Sequence, residues 1–373
     1  MTRERYPVLK YRGTGGDYTA KLRKTLPKNF NEIVTSCGVE EIKAVLRKCE
    51  PDAAYSTYDK RTALMNPDLP EEVIRWLVSE YGAEINYSDN YCRTPLNQTA
   101  VFKPENIGTL VSLGADVNFQ KNADSPTALI YAARCFSVEG VRGLIECGAD
   151  VFRTVRVGYT DITHNALDEA LRACSNARTP ETAKIARILI DAGIPVTDSM
   201  RKRVADIGRT FEFYRDSFDP DYLPVCDAGL CELYELFDVP PAPSKRKYDG
   251  SEPITVCGKT WHAQYNELWE MLVPGSGKAK FVQGEALRIA GKLSHEILDN
   301  GSVNWDEDYR AMKDELADII SGGCPADEEI IRAVRNISPN TCECTFNKIA
   351  EAVVGWILSN PEPKELETVS YRR

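Results

Sequence analysis

From about residue 62 to residue 151 the sequence repeats itself at a step close to 33, and this self-similarity limits the possible folds more than any other feature. Thr94-Pro95-Leu96-Asn97 opens one unit, and Thr127-Ala128-Leu129-Ile130 opens the next 33 residues later. Going backward, Thr62-Ala63-Leu64 stands 32 residues before Thr94. Each opening leads through a second apolar stretch to a glycine-led segment: Gly82-Ala83-Glu84-Ile85-Asn86, Gly114-Ala115-Asp116-Val117-Asn118 and Gly148-Ala149-Asp150-Val151. A unit this short cannot bury its apolar face alone, so successive units must stack.

The local physics agrees with helical units. A threonine at the opening caps a helix through its hydroxyl, and Pro95 takes the first helical position, where its missing N–H would have had no partner. Gly82, Gly114 and Gly148 stand just past the second helix, where a residue without Cβ ends a helix at least cost. Two further units are degenerate. Residues 165–171 with Ile185, Ile188, Leu189 and Gly193 read as a fourth unit lengthened by an insertion near 174–180. Phe30, Ile33, Val34, Ile42, Val45 and Leu46 form two helical pieces split at Cys37-Gly38, as expected of an N-terminal capping unit. Residues 199–239 are expected to close the other end.

Over residues 58–197 this pattern resembles the ankyrin repeat, with its T-P-L-H turn, helix pair and G-A-D-x-N segment. It departs at Asn97 and Ile130, where the family has histidine, and at Ala63, Ala128 and Ala166, where it has proline. The resemblance implies an all-α solenoid with short β-hairpin turns and a concave surface that binds another protein. The positions it places on the fingers are Tyr58, Asp59 and Arg61; Asp89, Tyr91 and Arg93; Asn122 and Asp124; and Arg156 and Tyr159. Turn capping is the competing role, above all for Asp89 and Asp124.

Proline and charge concentrate at 240–253, which reads as a linker. Beyond it, apolar residues at three- and four-residue steps predict about five helices: 261–272, a second through Ile297 ending at Asn300-Gly301, then helices around 305–320, 330–334 and 349–358. The expected organisation is a basic segment 1–29, a repeat domain 30–239, the linker 240–253, a helical bundle 254–361 and a tail 362–373. The stretch Leu268–Pro274 with Gly277, Ala279 and Val282–Glu285 resembles a block found after ankyrin repeats in bacterial proteins, which implies a bacterial or phage source. Gly284 and Gly291 are placed for close helix packing.

Charge narrows the partners. The net charge of −10 argues against general binding to a phosphate backbone, so nucleic acid is a disfavoured partner. Residues 1–28 carry eight basic against two acidic residues, and 306–329 carry nine acidic against two basic. These are two solvated faces or a docking pair. No apolar run approaches the roughly 20 residues of a membrane span, and the opening MTRERYPVLKYRG lacks the core of a secretion signal. The chain is therefore expected in the cytoplasm, off the membrane, with its twelve cysteines reduced.

Chemical motifs are incomplete. Gly275-Ser276-Gly277-Lys278-Ala279 fails as a phosphate loop because Leu272 and Ala279 replace the required glycine and hydroxyl residue, and a helix precedes it. The cysteines include no C-x-x-C pair, so no metal site and no cofactor are expected. Cys342 and Cys344, two apart, are read with the other cysteines as small hydrophobes. None of the three histidines adjoins a nucleophile motif, and His164 is expected to make a structural hydrogen bond. Ser276, Lys278, Gln283, Glu285, Arg288 and His295 are the candidates for a polar site in the C-terminal domain, His295 sharing a helix face with Arg288.

The expected class is thus a protein-binding module, its helical bundle dimerising or engaging a second partner. The alternatives are an enzyme or toxin-like effector targeted by the repeats, and an inhibitor that turns its acidic run 306–329 on a nucleic-acid enzyme.

Overall fold

The computed structural model describes residues 21–158, 160–244 and 248–373. The described chain is predominantly helical, with sixteen α-helices and four short strands. It divides into two compact units. One ends at Ala205 and takes in Val225–Pro240; the other comprises Asp206–Pro224 and Pro241–Arg373.

In the first unit, β1 (Arg23–Thr25) pairs in parallel with β2 (Cys49–Ala54) around α1 (Phe30–Ser36) and α2 (Val39–Leu46). Phe30 and Ile42 are fully buried there. The end of the expected basic segment is therefore part of the fold; its first twenty residues lie outside the described chain. Next come α3 (Glu71–Ser79), α4 (Pro95–Phe102), α5 (Ile107–Ser112), α6 (Ala128–Arg134), α7 (Val138–Glu146), α8 (Ala166–Ala173) and α9 (Thr179–Asp191). They pack in two files. In one, α4 touches α6 and α6 touches α8; in the other, α3, α5, α7 and α9 touch in succession.

Small residues set the spacing of the first file: Ala100, Ala132, Ala133, Ala166 and Ala170 have no exposed surface. The capping threonines behave as their positions imply, Thr94 Oγ1 accepting from Asn97 N and Thr127 Oγ1 from Ile130 N. Gly114 and Gly148 follow their helices at φ 100° and 88°, the left-handed region that favours glycine. Thr62 departs from the pattern. Only a single 3₁₀ turn, Ala63–Met65, follows it, and its hydroxyl caps nothing. Pro67 and Pro70 come too soon for an α-helix, because proline lacks the N–H and biases its predecessor away from helical angles.

Side-chain rungs join successive units. Asn86 Oδ1 accepts from Asp116 N at 3.0 Å, and Asn118 Oδ1 from Asp150 N at 2.8 Å. Only one of the expected hairpin turns is a ladder among the described residues: β3 (Val155–Arg156) against β4 (Thr163–His164). The others close through side-chain caps, which satisfy the turn amides without strand pairing.

After α10 (Asp198–Tyr214) and α11 (Leu223–Phe237), the second unit holds α12 (Trp261–Leu272), α13 (Val282–Ser294), α14 (Glu307–Ser321), α15 (Glu328–Arg335) and α16 (Glu343–Ser359). The five expected helices are present, and α13 continues into a π turn at His295–Asp299. It contacts α12, α14 and α16, and every residue from Gln283 to Ala290 is buried. Both of its glycines sit at close approaches. A Cβ on Gly284 would lie 2.6 Å from Leu272 O, and one on Gly291 would lie 2.7 Å from the Trp269 ring.

Three expected boundaries move. Residues 206–224 group with the second unit, not with the repeats. The expected linker delivers Ile254 into the helical core and sets the Tyr248 ring against Phe281; its Lys245-Arg246-Lys247 lie outside the described residues. The expected tail is an integral strap. Its backbone hydrogen-bonds to 280–282 through Val282 N to Lys364 O and Leu366 N to Lys280 O, and Tyr371 is 1% exposed. Apolar and polar anchors at both ends of a segment order it whatever its place in the chain.

Candidate functional site

The finger residues fall into two classes. Asp89 is fully buried: its Oδ1 accepts from the backbone N–H of Tyr91 and Arg93, at 2.9 and 2.8 Å, and its Oδ2 accepts from Arg93 Nε at 2.7 Å. It is a turn cap, which removes it from the expected contact surface. The Asp89 carboxylate thereby holds the Arg93 guanidinium 4.8 Å over the Tyr91 ring. Tyr91 in turn meets Tyr58 edge to face, with ring centroids 6.4 Å apart. Within the first two fingers Tyr91 and Tyr58 are the exposed members of the set, at 54% and 77%.

Neighbouring fingers are tied in register. Asn90 N donates to Asp59 O at 2.9 Å, and Asn90 Nδ2 bonds Tyr58 O. Asp59 accepts from Ser56 Oγ and Arg61 N within its own turn. Burial pushes the Asp59 carboxyl up, but those hydrogen bonds and the charges of Arg61 and Arg93 prevail and leave it below the usual range. Arg61 lies 4.4 Å over the Tyr55 ring.

In the third finger Asn122, not Asp124, closes the turn, accepting from Asp124 N and Ser125 Oγ. Asp124 is free to make a bidentate pair with Arg156 at 2.6 and 2.8 Å, and hydrogen bonding by Arg156 lowers its carboxyl. Tyr159 lies outside the described residues. His164 makes the expected structural bond, its Nδ1 2.8 Å from Glu169 Oε1. Phe102, Phe152 and Ile162 are also largely exposed, at 57 to 63%. Nothing in the sequence singled them out, because no periodicity marks an apolar residue as surface.

The polar candidates of the second unit are only partly brought together. Glu285, with no exposed surface, accepts from Ala279 N, from Arg288 Nε and Nη2, and from Tyr371 Oη, at 2.5 to 2.9 Å. Burial pushes its carboxyl up, but Arg288, Tyr371 and the Ala279 amide outweigh burial and hold it below the usual range. Arg288 Nη2 also donates to Arg373 O, and Lys278 Nζ to Tyr371 O. Gln283 fixes the strap, donating to Asn360 O and Glu362 O. These four residues form a closed lock around the strap, with the carboxylate fully committed to internal partners. Ser276 and His295 lie outside it. Both are exposed, and His295 pairs with Asp299 at 2.9 Å.

Beside the lock is a cavity of about 620 Å³, lined by Gln283, Ile319, Trp356, Leu366 and Val369 and edged by Glu315, Asp318, Glu362, Glu365 and Glu367. Burial and the nearby Asp318 and Glu285 charges raise the Glu315 carboxyl. The cavity escaped sequence reasoning because half its wall is the strap. Of the acidic run, Asp306 pairs with Arg373 and Asp318 with Arg335.

Among the described residues no cluster of three His, Cys, Asp or Glu is arranged to hold a metal ion. None of the described helices is long and apolar enough to cross a membrane. Comparison with protein-family models and with curated proteins returns no match for this chain.

Proposed function

We propose that the first unit is an ankyrin-type array that binds another protein in the cytoplasm through its finger row, and that the second unit self-associates or engages a second partner. One observation carries the reading. Tyr58 and Tyr91 stand 33 residues apart on neighbouring fingers, exposed yet held ring to ring, with Arg93 fixed beside them by a buried carboxylate. Tyrosine and arginine are the side chains that dominate binding energy at protein interfaces, and preorganised anchors lose less entropy on binding.

The test is Tyr58→Ala combined with Tyr91→Ala in the full chain, followed by affinity capture from the native cell and mass spectrometry. Arg93 is left in place because its removal would strip a buried carboxylate of its cation and confuse folding with binding. Two anchors worth about 2 kcal/mol each predict a loss of at least a hundredfold in affinity with an unchanged circular dichroism spectrum. Undiminished capture by the double variant would refute the assignment.

A further inference from the structure

Cys342 and Cys344 are brought sulfur to sulfur at the start of α16. Their Sγ atoms are 2.6 Å apart, and both residues are exposed. Cys342 is the N-cap, with extended backbone at ψ 158°, and Cys344 is the second helical residue, so the turn into the helix folds one thiol onto the other. The Thr345 hydroxyl approaches Cys342 Sγ to 3.3 Å. One turn on, buried Phe346 and Ile349 anchor the helix.

The two sulfurs lie roughly half an ångström beyond the bonded length of about 2.05 Å. Hydrogen bonding from Cys344, then from Thr345 and the first amides of the helix, brings the Cys342 thiol down to about 7, which favours the thiolate, the nucleophilic form. Burial acts oppositely on other cysteines, raising Cys49 and Cys226 and pushing Cys174 up to about 11.

We propose that Cys342 and Cys344 form a thiol–disulfide exchange site whose substrates are small accessible disulfides of the glutathione type. The Cys342 thiolate attacks one sulfur of R–S–S–R; that S–S bond breaks, and RS⁻ leaves with the electron pair and takes up the proton Cys342 gave up. Cys344 loses its proton and attacks Cys342 Sγ in the mixed disulfide, expelling the second RS⁻, which takes that proton. The dithiol is oxidised by two electrons to an intramolecular disulfide, and R–S–S–R is reduced to two R–SH. Excess R–SH runs the sequence backward.

The reduced full chain, freed of reductant, is equilibrated with graded mixtures of reduced and oxidised glutathione, blocked with N-ethylmaleimide and digested with trypsin. The tryptic peptide 336–348 contains these two cysteines and no other. It is expected two hydrogens lighter and free of maleimide in mixtures where exposed Cys135 and Cys231 still carry the label. Cys344→Ser is expected to trap glutathione on Cys342 and to move half-maximal alkylation of Cys342 to higher pH. Doubly labelled peptide until Cys135 and Cys231 also oxidise would overturn the proposal, as would a Cys344→Ser variant whose Cys342 alkylates with the unaltered pH midpoint.

Discussion

Replacing Glu285 with glutamine probes the lock around the strap most directly. The amide keeps the shape, but with one acceptor oxygen it can accept either from Tyr371, which donates to Oε1, or from the Ala279 amide, which donates to Oε2, and the Arg288 guanidinium, 3% exposed, loses its counter-charge. Removing one partner of a buried ion pair costs about 3 to 5 kcal/mol, two to three and a half orders of magnitude in the unfolding constant. Arg288→Met added to Glu285→Gln removes the stranded charge as well, and should recover at least half of that loss. Urea unfolding followed by tryptophan fluorescence reads this unit, because Trp261, Trp269, Trp305 and Trp356 are four of the five tryptophans. The pH dependence has a definite sign. The Glu285 carboxyl is lowered in the folded state, so its contribution is complete above the unfolded value of about 4.3 and disappears as pH falls through the folded one. The gap between wild type and Glu285→Gln should therefore narrow on acidification. A single variant within about 1 kcal/mol of wild type, or a double variant no more stable than the single, would refute the view that this pair is a buried lock.

Three further substitutions test the packing rules. Asn118→Ala removes the acceptor of the Asp150 amide; it should lower the stability of the repeat unit by about 0.5 to 1 kcal/mol and accelerate hydrogen exchange at that amide, and unchanged exchange would show that the rung carries no weight. Gly284→Ala must displace backbone at Leu272 and should cost about 1 to 3 kcal/mol, whereas Gly291→Ala meets the tip of the half-buried Trp269 ring and should chiefly alter its fluorescence. Equal urea midpoints for the two alanine variants would contradict the difference between a fixed and a yielding neighbour.

What the sequence disclosed was local. Thr94, Thr127, Gly114 and Gly148 act through atoms within a turn of themselves, so spacing alone located their helix starts and stops. Non-local pairings stayed hidden: β1 against β2, the strap against 280–282, and Tyr371 on Glu285, 86 residues away. The polar candidates show the same divide. Glu285 and Arg288, three apart on one helix, were both read as polar candidates, but helical spacing also recruited His295. Seven residues carry it about 10 Å along the axis, past the part that Tyr371 and Arg373 cover, and there it is exposed. On the fingers, residue type misled in the opposite direction. Asp89 has the composition of a contact and the burial of a cap, because a short carboxylate satisfies three turn donors at once and is drawn inward by them. Carrying the 33-residue step from the helices onto the turns would have aligned Tyr58, Tyr91 and Asp124 as successive tips. Spacing assigns equivalent places, and only the hydrogen bonds at each place decide whether the side chain faces the turn or the solvent.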